Sequence, residues 1–396
     1  TVKTMKKDAA VAAGLYQLIG ADIDDPYMEE LKKLVLHQDC IDKVGADMKI
    51  VYTPIHGTGV KLVPAALKAY GFTNIIHVPE QDVVSGDFPT VISPNPEEPA
   101  ALAMAVEKAK ETDAELVMAS DPDADRVGAA VKNNEGEWVL LNGNQTALMF
   151  VYYLITRWKE LGKINGKEYI VKTIVTTETI KTIAERNGVE MYDVYTGFKW
   201  IANVMRENEG KKNYIGGGEE SYGFLCEDFV RDKDAVSACV ILAEIAAWAK
   251  DQGLSLYQLL QKIYVEYGFS KEKGISVVKK GKSGAEEIEA MMKKFRENPL
   301  TEIAGSKVTY FYDYSTLKGK DYAENETVTL DMPTTSNVLQ YFTEDNTKVS
   351  IRPSGTEPKI KFYCEVHSKV KSIDELPEAE KAAEEKINQI KASLGI

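Results

Sequence analysis

The stretch Glu115-Leu116-Val117-Met118-Ala119-Ser120-Asp121-Pro122-Asp123-Ala124-Asp125-Arg126 changes abruptly from an apolar run to three alternate carboxylates. The apolar run predicts a buried strand. The loop after it can aim Asp121, Asp123 and Asp125 at one point, because alternate residues of an extended segment point the same way. Carboxylates at such a short distance repel one another unless a cation lies between them, and Mg²⁺ prefers oxygen ligands. A solvated acidic turn is the alternative, but the strand in front and Arg126 behind favour a metal site.

Strands and helices alternate on both sides of this stretch. Residues 49–55 and 114–120 are predicted strands, and residues 60–70 and 97–110 between them are predicted helices. Such alternation indicates a parallel sheet, whose ligands bind at the carboxyl ends of the strands. The same alternation returns after Asn142 and predicts a second unit of this kind.

The last third of the chain has a different pattern. From residue 269 onward, most predicted strands follow one another without intervening helices, which indicates an antiparallel sheet. The predicted fold class is therefore α/β, with two successive α/β mixed-sheet domains followed by a smaller α+β domain built on an antiparallel sheet. The predicted domain boundaries are residues 1–141, 142–268 and 269–396.

A second polar loop follows the predicted strand 213–215. It consists of Gly216-Gly217-Gly218-Glu219-Glu220-Ser221-Tyr222-Gly223-Phe224. Three consecutive glycines let the backbone approach a ligand closely, and the carboxylates and hydroxyl after them can accept hydrogen bonds from a polyol. A flexible acidic turn is the alternative interpretation.

Lys233 lies just before a predicted helix start, where a cation is mildly unfavourable, so its position suggests a function, although surface lysines are common.

A third polar turn precedes the last predicted strand. Arg352-Pro353-Ser354-Gly355-Thr356-Glu357-Pro358-Lys359 combines a guanidinium group, two hydroxyls, a glycine and a trailing lysine. These groups are the components of a phosphate-binding loop, because guanidinium pairs well with phosphate and glycine exposes backbone N–H groups. An ordinary hairpin turn is the alternative, and the concentration of phosphate ligands favours the binding loop.

The composition limits the possible functions. The 396 residues carry a net charge of −13 and have a pI of about 5.1, which disfavours binding to nucleic acid or to anionic membranes. The four cysteines are scattered without a Cys-x-x-Cys pair, which fits a reducing cytoplasm better than a disulfide framework or a zinc site. No signal peptide and no apolar run of 18 residues are apparent. The chain begins at Thr1 instead of Met, which suggests a fragment or a processed product.

Together these motifs resemble the α-D-phosphohexomutases, the phosphoglucomutase/phosphomannomutase family. The resemblance covers the whole chain and rests on the order and separation of three motifs, at residues 121–126, 218–221 and 352–358. Three further segments resemble the branch of the family that includes phosphoglucomutase-2-type and phosphopentomutase-type enzymes. They are residues 53–59, 94–98 and 196–200.

The resemblance implies a four-domain enzyme in which a phosphoserine of the first domain, within a Thr-Ala-Ser-His-Asn-Pro-like loop, donates its phosphoryl group to a sugar phosphate. The resulting sugar 1,6-bisphosphate reorients and returns its other phosphoryl group, so that sugar 1-phosphate and sugar 6-phosphate interconvert. That loop is absent from this sequence, because Ser93-Pro94-Asn95 lacks the histidine and matches another part of the family pattern. The chain is therefore expected to correspond to domains two to four, without the phosphoserine domain, and to be inactive alone.

The resemblance also implies roles for individual residues. Mg²⁺ would be bound by Asp121, Asp123 and Asp125. The catalytic residues would be two cations, Arg126 as a charge stabiliser and Lys233 as a candidate acid, base or charge stabiliser. The sugar would be bound by Thr196, Gly197, Lys199, Glu219 and Ser221. The distal phosphate would be held by Arg352, Ser354, Gly355 and Thr356. Tyr222 stands where small or other residues are common in the family, which leaves the sugar preference open.

The implied partners are small-molecule sugar phosphates in the cytoplasm, with sugar 1,6-bisphosphate as activator or intermediate. No nucleic-acid or membrane partner is expected, and the oligomeric state stays undetermined. One alternative is a module that binds Mg²⁺ and sugar phosphate without turnover. Another is a haloacid-dehalogenase-type phosphatase, in which the first Asp of an Asp-x-Asp motif is the nucleophile. That alternative leaves residues 352–359 unexplained, and Ala124 stands where those phosphatases have Thr or Val.

Overall fold

A computed structural model describes residues 3–279, 281–355 and 358–396, without the side chain of Lys282. The described chain builds three principal β-sheets in succession, of five, four and eight strands. The parts of the chain around these sheets are called the first, second and third units below. No described helix combines the length and the apolar content needed to cross a bilayer.

The first unit is a mixed sheet covered by helices. Its strands have the order β2-β1-β3-β4-β5. They are β1 (Ile50–Thr53), β2 (Ile75–His77), β3 (Leu116–Ser120), β4 (Val127–Lys132) and β5 (Trp138–Leu141). The helices are α1 (Lys7–Ala12), α2 (Ala21–Lys33), α3 (Gln38–Val44), α4 (Gly59–Tyr70) and α5 (Pro99–Thr112). Because β1 and β3 are parallel neighbours, the loops after them lie at the same edge of the sheet.

The second unit repeats this plan on a smaller scale. Its strand order is β7-β6-β8-β9, with β6 parallel to both β7 and β8 and with β9 antiparallel to β8. The strands are β6 (Glu168–Thr173), β7 (Glu190–Val194), β8 (Asn213–Gly218) and β9 (Phe224–Cys226). The helices are α6 (Gly143–Glu160), α7 (Thr179–Arg186), α8 (Phe198–Asn208), α9 (Ala235–Asp251) and α10 (Leu256–Tyr267).

Helix α9 joins the first and second units. Its sequence is apolar around most of the circumference and almost all of its residues are buried, as expected for a helix that packs on several sides. It packs against α3 and α4 of the first unit and against β9 and α10 of the second. Asp234 caps its start by accepting hydrogen bonds from the N–H groups of Val236 and Ser237, at 3.0 and 3.3 Å. The cap also fixes the backbone next to Lys233.

The third unit is an antiparallel sheet with the order β10-β17-β16-β15-β12-β13-β14, in which β11 pairs with β12. Its strands are β10 (Phe269–Val278), β11 (Glu302–Ile303), β12 (Ser306–Asp313), β13 (Lys318–Asp321), β14 (Glu326–Thr329), β15 (Leu339–Thr343), β16 (Lys348–Pro353) and β17 (Lys359–Ser368). Its helices are α11 (Gly281–Glu297) and α12 (Leu376–Leu394), the latter preceded by a 3₁₀ turn at Ile373–Glu375. The predicted fold class is confirmed.

Several predicted elements were wrong in detail. Apolar residues recur at helical spacing over residues 1–20 and predict a helix there, but the structure forms only α1, which buries no residue, because these apolar side chains have no packing surface in the described chain. Asp25-Pro26 predicts the start of a second helix, but α2 begins earlier, at Ala21. The three glycines 216–218 lie inside strand β8 rather than in a loop. Strands β4 and β9 were missed, since buried short strands lack the alternation that identifies half-buried ones. Helix α10 was also missed, although Ser255 and Gln258 form a capping box at its start.

Candidate functional site

The acidic loop, residues 121–126, curls around the carboxylate of Asp121. The N–H groups of Asp125 and Arg126 donate to Asp121 Oδ1 at 3.1 and 3.0 Å. The N–H of Ala124 donates to the carbonyl of Asp121 at 3.0 Å, and Ala124 takes the left-handed conformation, with φ of 58°. These backbone contacts hold the loop compact without using the outward oxygens of the carboxylates.

The loop after β1 packs against the acidic loop and hydrogen-bonds to it. The N–H and the hydroxyl of Thr58 both donate to the carbonyl of Pro122, at 2.9 and 3.1 Å. A Cβ atom at Gly57 would lie 2.4 Å from the Cα of Pro122, so only glycine permits this approach. The Gly57 turn is therefore a structural part of the site.

The three carboxylates of the acidic loop converge. One oxygen from each of Asp121, Asp123 and Asp125 lies within 4.8 Å of the others. Asp121 is 7% exposed, and burial together with the Asp125 and Asp123 charges raises the pKa of its carboxyl to about 7. Oδ1 of Asp125 is buried and has no hydrogen-bond partner in the described part of the chain. This donor set of converging oxygens fits a hard divalent cation such as Mg²⁺.

Arg126 lies beside these carboxylates without a close hydrogen bond to them. Its Nε is 3.5 Å from Asp121 Oδ2 and 3.6 Å from Asp125 Oδ1, and its Nη1 is 3.4 Å from Glu97 Oε1. The guanidinium group is about one-third exposed. Because these contacts are long, the guanidinium group can reorient toward an anion at low cost.

Lys233 is the second cation of the site. Its Nζ lies 2.8 Å from Asp125 Oδ2 and 3.1 Å from Asp232 Oδ1. Burial acts to lower the pKa of Lys233, but the hydrogen bond and charge of Asp125 outweigh it and raise the pKa. In this arrangement Lys233 is therefore a stable ammonium group, suited to stabilising negative charge and poorly suited to accepting a proton.

Backbone contacts join the acidic loop to the second unit. The N–H of Val127 donates to the carbonyl of Tyr222 at 3.0 Å, and Arg126 pairs with Gly223 as an isolated antiparallel bridge. A Cβ atom at Gly223 would lie 2.2 Å from Cδ of Lys233, so the lysine stem depends on glycine there. The loop from Glu219 to Gly223, called the sugar loop below, thus lies directly beside the acidic loop.

The structure brings some predicted sugar-binding residues together. The N–H of Gly197 donates to Glu219 Oε1 at 2.7 Å, and Glu219 is 5% exposed. Thr196 precedes this glycine and is partly exposed. Lys199 lies apart from them, with its Nζ over the ring of Trp200 at 5.1 Å. The carboxylate of Glu219 therefore connects the two predicted sugar-binding segments.

A cavity of about 270 Å³ opens where the three units meet. The first unit contributes Glu97, the second Ser221 and Tyr222, and the third Lys361 and Tyr363. Glu97 is also the residue that contacts Arg126. The cavity therefore reaches from the neighbourhood of the acidic loop to the third sheet.

Residues 352–355 and 358–359, called the phosphate loop below, lie at the end of the β16–β17 hairpin. The N–H of Ser354 donates to the carbonyl of Lys359 at 2.8 Å. Arg352 lies opposite Lys361 in the strand pairing, and its positive charge acts on the nearby hydroxyl of Tyr363. Gly355 is exposed at the tip, and Thr356 lies outside the described residues. The third-unit wall of the cavity is thus connected directly to this loop.

Sequence reasoning missed Glu97, Lys361 and Tyr363 as parts of the site. A usable signal existed for the two residues on β17, because side chains at alternate positions share a face with Lys359. Glu97 had no such signal. Its contact with Arg126 spans 29 residues and depends on how α5 packs against the sheet.

Three family models match the chain in succession. Residues 25–136 match the phosphoglucomutase/phosphomannomutase α/β/α domain II, residues 142–267 match α/β/α domain III, and residues 277–383 match the C-terminal domain of the same family. Together these matches cover most of the described chain.

Several curated relatives of the chain are named phosphoglucomutase. A phosphoglucomutase of Staphylococcus aureus is 37% identical over 86% of this chain and 60% of its own length. Those of Staphylococcus haemolyticus and Staphylococcus saprophyticus are 34% and 32% identical, over 87% and 93% of this chain and 61% and 65% of their own lengths. The chain therefore spans less than two thirds of the length of these relatives.

Solved structures share the fold. The Paramecium protein parafusin, described as a phosphoglucomutase and solved in an open form, superposes with a TM-score of 0.62 at 17% identity, over 88% of this chain and 58% of that one. A phosphomannomutase-like protein of Thermus thermophilus superposes with a TM-score of 0.61 at 20% identity, over 91% of this chain and 66% of that one. At such identities the likeness concerns the fold alone.

Proposed function

Because the chain belongs to the phosphoglucomutase/phosphomannomutase family, we propose that it forms the metal, sugar and distal-phosphate parts of a sugar-phosphate mutase site. The parent protein would interconvert sugar 1-phosphate and sugar 6-phosphate through a sugar 1,6-bisphosphate, in the cytoplasm. The observation that carries the proposal is the backbone pairing of the acidic loop with the sugar loop, beside two cations. The three domains keep the proposed boundaries of residues 1–141, 142–268 and 269–396, within which the matched family models fall.

The acidic loop would hold the metal. Asp121, Asp123 and Asp125 would bind Mg²⁺, which supplies Lewis-acid stabilisation of charge on a phosphoryl group. Arg126 would turn from its long contacts with the carboxylates toward the phosphoryl oxygens. Lys233 would hold an ammonium charge next to the same group and stabilise the oxygen at which a bond breaks.

The other two loops would bind and orient the sugar phosphate. Glu219 uses one lone pair for the N–H of Gly197 and keeps others for sugar hydroxyls. Ser221 would donate to or accept from the same sugar. Arg352, with the hydroxyl and backbone N–H groups of the phosphate loop, would hold the phosphate that does not react. Because the protein would hold the ligand at both ends, the reacting groups would already be in place and the reaction would become nearly unimolecular.

The phosphoryl donor would come from outside these residues. No loop of the Thr-Ala-Ser-His-Asn-Pro type occurs in the 396 residues, so we propose that they bind sugar phosphate but do not turn it over alone. Turnover above that of an Asp121→Ala variant, with or without a bisphosphate primer, would contradict this part of the proposal.

The binding part is tested by calorimetry with glucose 1,6-bisphosphate, because the curated relatives are named phosphoglucomutases. We expect Mg²⁺-dependent binding that weakens at least about tenfold in Asp123→Asn, which removes one carboxylate charge from the metal site. Asp113→Asn is the matched control, since Asp113 pairs with Lys132 on the surface and lies away from the site. Binding that is absent, or equally weak in both variants, would refute the proposed site.

A further inference from the structure

Buried charges link the second sheet to the third. Lys172 on β6 and Lys348 on β16 are each 1% exposed, and their ammonium groups share Oε1 of Glu178, at 2.9 and 2.7 Å. Lys172 also contacts Asp193 at 2.7 Å, and Lys348 contacts Glu365 at 2.9 Å. Ammonium groups are tolerated in a protein interior only when they are paired in this way. These five residues are called the inter-sheet ion network below.

The network fastens the third sheet to the segment that follows β6. Lys348 Nζ donates to the carbonyl of Thr176 at 2.8 Å. Oε1 of Glu365 accepts from the hydroxyl of Thr177 at 2.9 Å and from the N–H of Glu178 at 2.6 Å. Lys348 and Glu365 of the third unit thus bind residues 176–178 of the second unit. Because these contacts are hydrogen bonds, they depend on the relative orientation of the two units.

On one side the network leads to the phosphate loop. Lys348 and Glu365 lie opposite each other at the base of the β16–β17 hairpin, and Arg352 and Lys361 lie opposite each other near its tip. Residues 348 and 352 share a face of β16, and the two pairs are roughly 13 Å apart at the rise of a β-strand. Because β16 and β17 are paired without interruption over this length, a displacement at the base of the hairpin is expected to move Arg352 and Lys361 with it.

On the other side the network leads to the sugar loop. Thr176, whose carbonyl accepts from Lys348, donates its hydroxyl to Oε2 of Glu220 at 3.4 Å. Thr173 donates to the same oxygen at 3.0 Å. Glu220 lies between Glu219 and Ser221, the two residues assigned to the sugar. One residue of the second unit thus contacts the network with its backbone and the sugar loop with its side chain.

We propose that Lys348 and Glu178 are positioning residues, which set the distance between the phosphate loop and the sugar loop. The proposal rests on the proposed function, because one ligand must contact both loops at once. Apolar residues of similar volume would hold the two sheets together at least as strongly, but they would slide past one another more easily. Sliding of the third sheet would separate Lys348 from Glu178 and from the carbonyl of Thr176, so the network favours the alignment seen here.

Two ligands of different length test this role. Inorganic phosphate needs only the phosphate loop, whereas glucose 1,6-bisphosphate with Mg²⁺ must reach both loops. In the 396-residue chain, Glu178→Gln keeps the size and one oxygen but removes the charge that attracts both lysines, and Lys348→Met removes the cross-sheet cation. Lys271→Met is the matched control, since Lys271 lies on the same sheet and pairs with Glu380 of α12 at 3.0 Å.

We expect both network variants to weaken the bisphosphate at least about tenfold and inorganic phosphate less than about twofold, while Lys271→Met changes neither. If Lys348→Met does not fold, Glu178→Gln decides, because each lysine keeps a second carboxylate there. Unchanged affinity for the bisphosphate, or an equal loss for both ligands, would overturn the proposal.

A wild-type chain that binds neither ligand would refute the proposed function instead. Hydrogen–deuterium exchange then decides whether the network positions the loops. The network variants should accelerate exchange in residues 173–178 and 348–352 relative to Lys271→Met. Exchange that matches the control would show that the network has no positioning role.

Discussion

The acidic loop and the inter-sheet ion network both concentrate charge, but in opposite ways. In the acidic loop, three carboxylates converge and the nearest cations, Arg126 and Lys233, contact them from outside at 2.8 to 3.6 Å. In the network, signs alternate, and Lys172 and Lys348 each lie within 2.9 Å of two carboxylates. The carboxylates of the loop face one another and leave a space that a metal ion can occupy, whereas in the network a lysine already lies between each pair of neighbouring carboxylates. The two groups thus contain the same numbers of carboxylates and cations in different arrangements.

The largest loss of stability is expected when the network loses a cation. Lys348→Met removes the lysine between the buried Glu365 and the partly exposed Glu178, so we expect the free energy of unfolding to fall by about 3–5 kcal/mol. The measurement is urea unfolding followed by circular dichroism. In Lys271→Met, whose partner Glu380 is well exposed, the loss should stay below about 1 kcal/mol. Equal losses in the two variants would mean that burial of the network has no energetic consequence.

The acidic loop should respond to metal rather than to loss of a charge. Mg²⁺ at about 100 times its dissociation constant should add about 2.7 kcal/mol to the stability of the chain, because it binds the folded state alone. In Asp123→Asn that increment should be largely lost, while the metal-free protein should be no less stable, since repulsion among the carboxylates is relieved.

The measurement is thermal unfolding at constant ionic strength with and without Mg²⁺. Asp113→Asn, outside the site, should keep the whole increment. An increment that survives in Asp123→Asn would exclude the acidic loop as the metal site.

A pH titration should show the charge of a histidine beside the network, and the variant His367→Gln distinguishes it from Asp121 of the acidic loop, whose pKa of about 7 lies in the same range. His367 Nε2 lies 2.7 Å from Glu365 Oε1, with Glu272 and Lys348 nearby. Burial acts to lower the pKa of His367, but the carboxylate of Glu365 outweighs it and raises the pKa. A raised histidine pKa contributes stability that is fully present below about pH 6.5, the unfolded value, and is lost as pH rises through the folded pKa.

We therefore expect stability to fall as pH increases above about 6.5, and this part of the pH dependence to disappear in His367→Gln. Urea unfolding across this range measures it. If the variant retained the same dependence, the charge of His367 beside Glu365 would not contribute to stability.

The smallest effect should come from the support of the acidic loop. Thr58→Val removes the hydroxyl bond to Pro122 but keeps the backbone bond to the same carbonyl. Because the hydroxyl is exposed to solvent, we expect a loss of only about 0.5 kcal/mol and a change in Mg²⁺ affinity below twofold. Calorimetry with Mg²⁺ checks this, and a larger loss of affinity would show that the hydroxyl shapes the metal site.

The convergence of the three aspartates was predictable because its causes are local. An apolar strand followed by alternate carboxylates specifies both the edge of the sheet and the direction of the side chains, and the structure has that arrangement. The alternation of strands and helices likewise predicted two mixed sheets and one antiparallel sheet. The length of the first helix was not predictable, because periodic apolar residues form a stable helix only where a surface receives them.

Other parts of the site depended on contacts that no local pattern reveals. Lys172 and Lys348 lie in strands, where a charged residue usually indicates a solvent-exposed face, yet both are fully buried. Lys348 and Glu178 are separated by 170 residues and meet only because the third sheet packs against the segment after β6. The contact of Glu97 with Arg126 has the same origin.

The sequence by itself thus determined the family, the fold class and the chemical character of each loop, because backbone periodicity and residue type act over a few neighbouring positions. The tertiary structure alone decided which loops meet, which lysines are buried in pairs and how the phosphate loop is aligned with the sugar loop. Those outcomes depend on the free energy of burying charges between whole sheets, which is determined only by how the sheets pack against each other.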